Sequence, residues 1–209
     1  MTSSQTRKRI LDAAVTLFNE RGTAAVSTNH IAAEAGISPG NLYYHFRNKE
    51  EIIRAILERM FTAWGGTWED PQNHTPRFED LMHLVRQNFE LLWQYRFFYR
   101  ETVALMMRDP VLAERHAEMQ SSRLELQQRV YRQFVDVGVM RQPDDPKAIP
   151  DLVRTGWILA TNWLAFLEAG GIEVDEERMR DGERLILRVF RSYLTDAALA
   201  ELRNSESEV

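Results

Sequence analysis

The stretch Ser38-Pro39-Gly40-Asn41-Leu42-Tyr43-Tyr44-His45-Phe46 places a helix-capping serine, a carboxamide, two phenols and an imidazole within nine positions. Those groups suit duplex recognition. An asparagine amide can pair its donor and acceptor with an adenine edge, while phenol hydroxyls and imidazole N–H groups reach phosphate oxygens. Pro39 and Gly40 permit close approach of the backbone, and Leu42 and Phe46, four apart, point back toward a core. Lys49, in the first turn of the following helix, adds a point charge where exposed amides also favour an anion. Arg7, Lys8 and Arg9 supply a basic arm. A blander reading stands beside this one: Tyr43 and His45 close the edge of a small core, and Asn41 is simply solvated.

These side chains need short helices to hold them. Apolar residues recur at helical spacing almost throughout, and no stretch alternates with period two, so the expected fold is all-α. A first helix over about residues 6–21 carries Ile10, Leu11, Ala14, Leu17 and Phe18 on one stripe and ends at Gly22. Ser27 or Thr28 caps a second helix, with Ile31, Ala32 and Ala35 inward, which Gly36 breaks. Ser38 caps a third, with Pro39 at its first position. A fourth begins at Asn48, with Glu51 completing a capping pair and Ile52, Ile53, Ile56, Leu57 and Met60 inward. Two short helices about a tight turn make a helix-turn-helix, whose second helix enters the major groove.

Length and charge bound the rest. The chain has 209 residues, 44% of them apolar, enough for a substantial core. There are no cysteines, which excludes disulfides, thiolate metal sites and cysteine nucleophiles. The five histidines do not cluster, so neither a metal nor a cofactor is expected. No apolar run is long enough for a membrane span, and no secretory leader is evident at the amino end, giving a cytoplasmic expectation. The net charge is -5, but residues 1–60 hold eight Lys/Arg against six Asp/Glu, +2, leaving 18 against 25, -7, for the remainder. Such a split fits one short DNA site met by a few placed contacts.

Residues 6–60 resemble the DNA-binding domain of the TetR family of bacterial transcriptional regulators. The resemblance rests on Thr28, Ile31, Ala32, Ala35, Gly36, Ile37, Ser38, Gly40, Leu42, Tyr43, His45, Phe46, Lys49 and Glu50 at the family's spacing. It implies that Thr28, Tyr43, His45 and Lys49 hold phosphates, while Pro39, Gly40, Asn41 and Tyr44 meet base edges. A cap is the alternative role for Thr28. With Arg7, Lys8 and Ser38, these residues form the expected DNA-binding set. The domains are expected at 1–60, for DNA, and 61–209, for effector binding and dimerisation, with the Gly- and Pro-containing stretch 65–76 as the loop between them.

The larger part must be read on its own residues. Helices are expected behind Pro76, Pro110 and Pro146, including long ones at about 110–137, 150–169 and 175–203. Residues 89–107 combine six aromatics, two methionines and two arginines. They are either ordinary bundle core or the lining of a cavity for an apolar or aromatic molecule, with an arginine to select an acid. The cavity reading names Trp64, Phe89, Trp93, Phe97, Arg100, Met106, Met107, Arg123 and Trp157. His83 and His116 are expected to be surface or core residues. Apolar stripes on the last two long helices comprise Val153, Gly156, Trp157, Ala160, Trp163, Leu164 and Leu167, then Ile186, Val189, Phe190, Tyr193, Leu194 and Ala197. They would form a four-helix dimer interface, unless both are buried within one chain.

Together these features point to a homodimeric regulator, a repressor that binds a palindromic operator and is released by a small hydrophobic or aromatic ligand. A TetR-fold DNA-binding or scaffold protein with a solid core and no effector is the alternative. No nucleophile, metal motif or positioned acid/base pair suggests an enzyme.

Overall fold

Thr2 begins the first helix: its hydroxyl accepts from the Gln5 amide while the Gln5 side chain accepts from the Thr2 amide, a reciprocal cap. The computed structural model describes residues 2–67 and 75–207, and these are helical with no strand among them. The order is α1 (Ser3–Ala25), α2 (Thr28–Glu34), α3 (Pro39–His45), α4 (Lys49–Thr67), α5 (Phe78–Gln94), α6 (Arg96–Arg108), α7 (Pro110–Asp136), α8 (Ala148–Ala169), α9 (Glu176–Phe190) and α10 (Asp196–Ser207). Most of the expected 65–76 loop lies outside the described residues.

Two compact units result, Met1–Ala63 with Gln94–Ala117, and Trp64–Trp93 with Glu118–Val209. The first unit thus takes in α6 as well as the helices expected of a DNA-binding head. Phe97 and Phe98 are fully buried in it, and the Phe97 ring packs at 5.1 Å against Phe18 of α1. Around them Ile10, Ala14, Ile31, Leu42, Ile52 and Ile56 are wholly inaccessible to water.

Residues 89–107 are not one helix. The chain breaks at Tyr95, where Asn19 of α1 donates to the Gln94 carbonyl and accepts from the Phe97 amide. Its amide replaces helical bonds that the break leaves unmade. The expected helix 175–203 is interrupted. Leu194 bridges Met140, and Thr195 bonds the carbonyls of Gly138 and Val139, before α10 begins. By contrast α7 and α8 match their expected spans closely. Asp109 caps α7 through the Leu112 amide at 3.1 Å, with Pro110 first in the helix.

Candidate nucleic-acid interface

Ser38 accepts from the Asn41 amide and starts α3, with Pro39 in its first turn. The preceding turn passes through Gly36 at φ +63°, a conformation glycine adopts without strain. Leu42 and Phe46 anchor α3 in the core, at 0% and 2% exposure. The opposite side is Pro39, Gly40, Asn41 and Tyr44, all exposed, with Tyr44 at 80%. A Cβ built on Gly40 meets nothing within 4 Å. No packing among the described residues therefore requires glycine at this position.

Tyr43 and Thr28 come together, Oη and Oγ1 standing 2.9 Å apart across α3 and α2. The α2 cap belongs to Ser27 in a reciprocal pair with His30, so Thr28 is released from capping. Two hydroxyls at this distance share one hydrogen bond and leave one O–H to donate at the edge of the ridge. Tyr43 is 50% exposed, which removes it from the core. His45 is half-buried, its ring edge-on to Tyr44 at 5.2 Å.

The cations have structural duties that their sequence positions did not disclose. Lys49 Nζ donates to the carbonyls of Thr23 at 2.6 Å and Val26 at 2.9 Å, closing the end of α1 and the turn into α2. One N–H of the ammonium remains for a phosphate. Arg7 bonds the His45 carbonyl and lies 4.2 Å over the Phe46 ring, and Arg9 bonds the Ala35 carbonyl at the end of α2. Lys8 pairs with Asp12 at 3.2 Å. The expected arm is helix from Ser3 onward, and two of its three cations close helix ends. Ser3, Thr6, Arg9, Gly36, Ile37, Asn41, Tyr44 and His45 enclose a hollow of about 410 Å³ beside α3.

Side chains distant in sequence hold this face in place. Glu101 of α6 accepts from the Thr23 amide at 2.8 Å and from the Thr23 hydroxyl, beside Gly22, whose φ of +74° breaks α1. Arg54 of α4 forms two bonds with Asp109, at 2.7 and 2.9 Å, and Arg115 does the same with Glu58, at 2.6 and 3.0 Å. The Arg54 bonds hold the Asp109 carboxyl below its ordinary pKa against the opposing effect of burial, and the Leu112 amide assists them. Nothing in local spacing announces these partners, which lie 55 to 78 residues apart.

The expected cavity residues divide into separate groups. In the second unit, buried Arg123 lies 3.8 Å over the Trp64 ring and 4.9 Å over the Trp157 ring, and donates to Asn88. Phe89 and Trp93 stand apart from this cluster and line a hollow of about 730 Å³. The remaining four sit in the first unit: Phe97 is core, Arg100 bonds the Asn19 carbonyl, Met106 is half-buried and Met107 is 81% exposed. The break at Tyr95 separates these two sets. His83 is exposed, whereas His116 packs against Phe98 and burial pushes its pKa down.

The expected dimer stripes need correction too. Val153, Ala160, Leu164, Leu167, Ile186, Phe190 and Leu194 are buried within the chain itself, so they offer no surface to a second copy. Trp157, Trp163, Val189 and Tyr193 are half-buried. The outward apolar residues of α8 are Ile158 and Phe166, 56% and 66% exposed, with Trp163 stacked on Phe166 at 5.7 Å. A helix this apolar has two eligible stripes, and periodicity alone does not say which its own chain covers.

Comparison with known proteins agrees with this arrangement. Residues 10–56 match the model for bacterial regulatory proteins of the tetR family, and residues 66–202 match a model described as a bacterial transcriptional repressor. A TetR-family transcriptional regulator from Marinobacter aquaeolei VT8 of known structure is 32% identical, with a TM-score of 0.84 over 98% of each chain. SmeT, the repressor of the Stenotrophomonas maltophilia multidrug efflux pump SmeDEF, is 27% identical, with a TM-score of 0.63 over 92% of each chain, and its complex with triclosan has been solved. The HTH-type transcriptional regulator YvkB of Bacillus subtilis is 30% identical over 107 residues, 51% of this chain and 53% of its own length. The chain thus matches about half or less of the length of the first curated relatives. No helix among the described residues is long and apolar enough to cross a membrane.

Proposed function

Because the chain belongs to the TetR family of bacterial transcriptional regulators, we propose that it is a repressor that binds a palindromic operator as a homodimer and leaves it when a small hydrophobic or aromatic ligand binds. The observation that carries this reading is the ridge of α3. Pro39, Gly40, Asn41 and Tyr44 project from a helix anchored to the core by buried Leu42 and Phe46, beside the hydroxyl pair of Thr28 and Tyr43. Asn41 reads a base, Gly40 allows the backbone close, and the hydroxyls, Lys49 and the His45 imidazole hold phosphates.

Dimerisation supplies two such ridges. Successive major grooves on one face of a duplex lie about 34 Å apart, so the operator is a palindrome whose half-sites have that spacing. The exposed Ile158 and Phe166, with half-buried Trp163, form the centre of the pairing surface. An aromatic effector fits the hollow of the second unit lined by Phe89 and Trp93, and the triclosan complex of SmeT supports the same class. Its effect on DNA equals its differential affinity for the two forms of the dimer.

The test is selection of bound fragments from random DNA by the purified chain and by Asn41→Ala. Enrichment of one palindrome, altered at one symmetric position by the variant, supports the reading. Enrichment of the same palindrome by both proteins removes Asn41 from base contact, and no enrichment by the parent overturns the proposal.

A further inference from the structure

Gly182 brings α9 close to α5 and α8: a Cβ there would stand 2.6 Å from Phe89 Cε1 and 2.7 Å from Trp163 Cδ1. Beside this approach a groove of about 730 Å³ opens, lined from α5, α9 and α10. Its floor is apolar. Phe89, Met179, Leu187 and Leu202 are buried there, with half-buried Trp93 and Met82 beside them. That volume lies in the range of sites for drug-sized molecules.

The charges around the groove are not equivalent. Four arginines stand at the rim, Arg86, Arg180 and Arg184 with side chains 61%, 65% and 56% exposed, and exposed Arg188, together with the exposed carboxylates Glu90 and Glu176. Arg184 is held by Asp181 at 2.5 Å. Glu183 is the deep group, its side chain 14% exposed. Its ion pair with Arg86 spans 3.8 Å, beyond hydrogen-bonding distance, and among the described residues its carboxylate accepts no hydrogen bond. The carboxylate has lost much of its water without gaining a close cation. Burial accordingly raises its pKa, and Glu90 adds to the rise against Arg86, Arg180 and Arg184.

We propose that this groove binds a lipophilic organic cation, with its rings on Phe89, Trp93 and Met179 and its charge against Glu183. The rim arginines oppose such a ligand only weakly, since exposed charges act through water and are screened by salt. At the floor the attraction works in a lower dielectric, and aromatic faces add to it. An amphiphilic anion, the competing occupant, would leave Glu183 buried and repelling it. Binding is read from the groove alone, and only its consequence for DNA rests on the regulator proposed above.

Tetraphenylphosphonium and tetraphenylborate share a shape and differ in the sign of their charge, so titration calorimetry of the full chain with each tests the assignment. Tetraphenylphosphonium should bind more tightly, and Glu183→Gln should weaken it about tenfold or more, the worth of one Coulombic attraction over about 6 Å at an effective dielectric of about 20. Arg86→Gln, which removes the competing cation, should tighten it. In the parent its affinity should fall as acid protonates Glu183, and in Glu183→Gln that slope should flatten to the smaller part that exposed Glu90 and Glu176 contribute. A purely structural Glu183 would not produce opposite effects in the two variants. Thermal melting of each variant verifies that it is folded.

Tighter binding of tetraphenylborate overturns the proposal, as does unchanged phosphonium affinity in folded Glu183→Gln. Operator release by tetraphenylphosphonium is scored separately. Binding through Glu183 without release leaves the groove standing and removes its role in regulation. Release that is equal in parent and Glu183→Gln leaves ligand response standing and overturns the groove.

Discussion

Replacing Gly40 by alanine separates the needs of the fold from those of DNA. Gly40 lies one position after Pro39 at the start of α3, its φ is not positive, and a Cβ there meets nothing within 4 Å. Glycine in a helix carries an entropic cost of about 0.5 to 1 kcal/mol relative to alanine. The variant should therefore be as stable as the parent or gain up to that amount, about 1 to 4 °C in melting temperature for a chain of this size. On DNA the added methyl occupies the space through which the α3 backbone nears a base edge. Loss of one base contact costs about 1 to 3 kcal/mol, or about 5- to 150-fold in affinity per half-site. Calorimetric melting and fluorescence anisotropy on the selected operator measure the two effects. A melting temperature well below the parent's would mean that the space above Gly40 is occupied in the fold. Unchanged operator affinity would mean that α3 does not approach the bases.

Three further outcomes follow from the packing. Asp109→Asn keeps the α7 cap but replaces a charge-assisted contact with Arg54 by a neutral one, a loss of about 1 kcal/mol. Because the folded pKa of Asp109 is depressed, this stabilisation is present above the unfolded carboxylate pKa of about 3.9 and lost as pH falls through the folded value. Parent and variant should thus differ at pH 7 and converge in strong acid, and a gap that persists there refutes the ionic account. Gly182→Ala should cost about 1 to 3 kcal/mol, as its Cβ must displace Phe89 and Trp163 rings at 2.6 to 2.7 Å; chemical denaturation reads the loss, and parental stability would show that α9 moves without strain. Phe166→Glu, at a 66% exposed site, should give a folded species near 24.4 kDa by light scattering, whereas a mass of twice that value would place the pairing surface elsewhere.

Much of the helical frame was legible residue by residue. Ser38, Pro39, Gly36 and the buried pair Leu42 and Phe46 act within one or two turns, so their roles follow from capping, backbone allowance and spacing. The same holds for α7 behind Asp109 and Pro110 and for the ending of α8. The outward ridge of α3 follows as well, because fixing two inward residues of a short helix also fixes its other side. These features depend on bonds that close locally.

Other features depended on partners far along the chain. The break at Tyr95 needs Asn19, the end of α1 needs Lys49 and Glu101, and of the two adjacent hydroxyls able to cap α2 the fold uses Ser27. The buried stripes of α8 and α9 were read as a surface for a second copy because both are strongly apolar, yet their own chain covers them and leaves Ile158 and Phe166 outside. Glu183 gave no signal among the chain's 31 acidic residues until the close packing at Gly182 set it beside an apolar floor. Amino-acid order specified the elements and their caps because those interactions span a few residues. Which apolar face is covered, and which charge is left poorly paired, arises from contacts between separate helices, such as those of Gly182 with Phe89 and Trp163, and it took shape only in the packed chain.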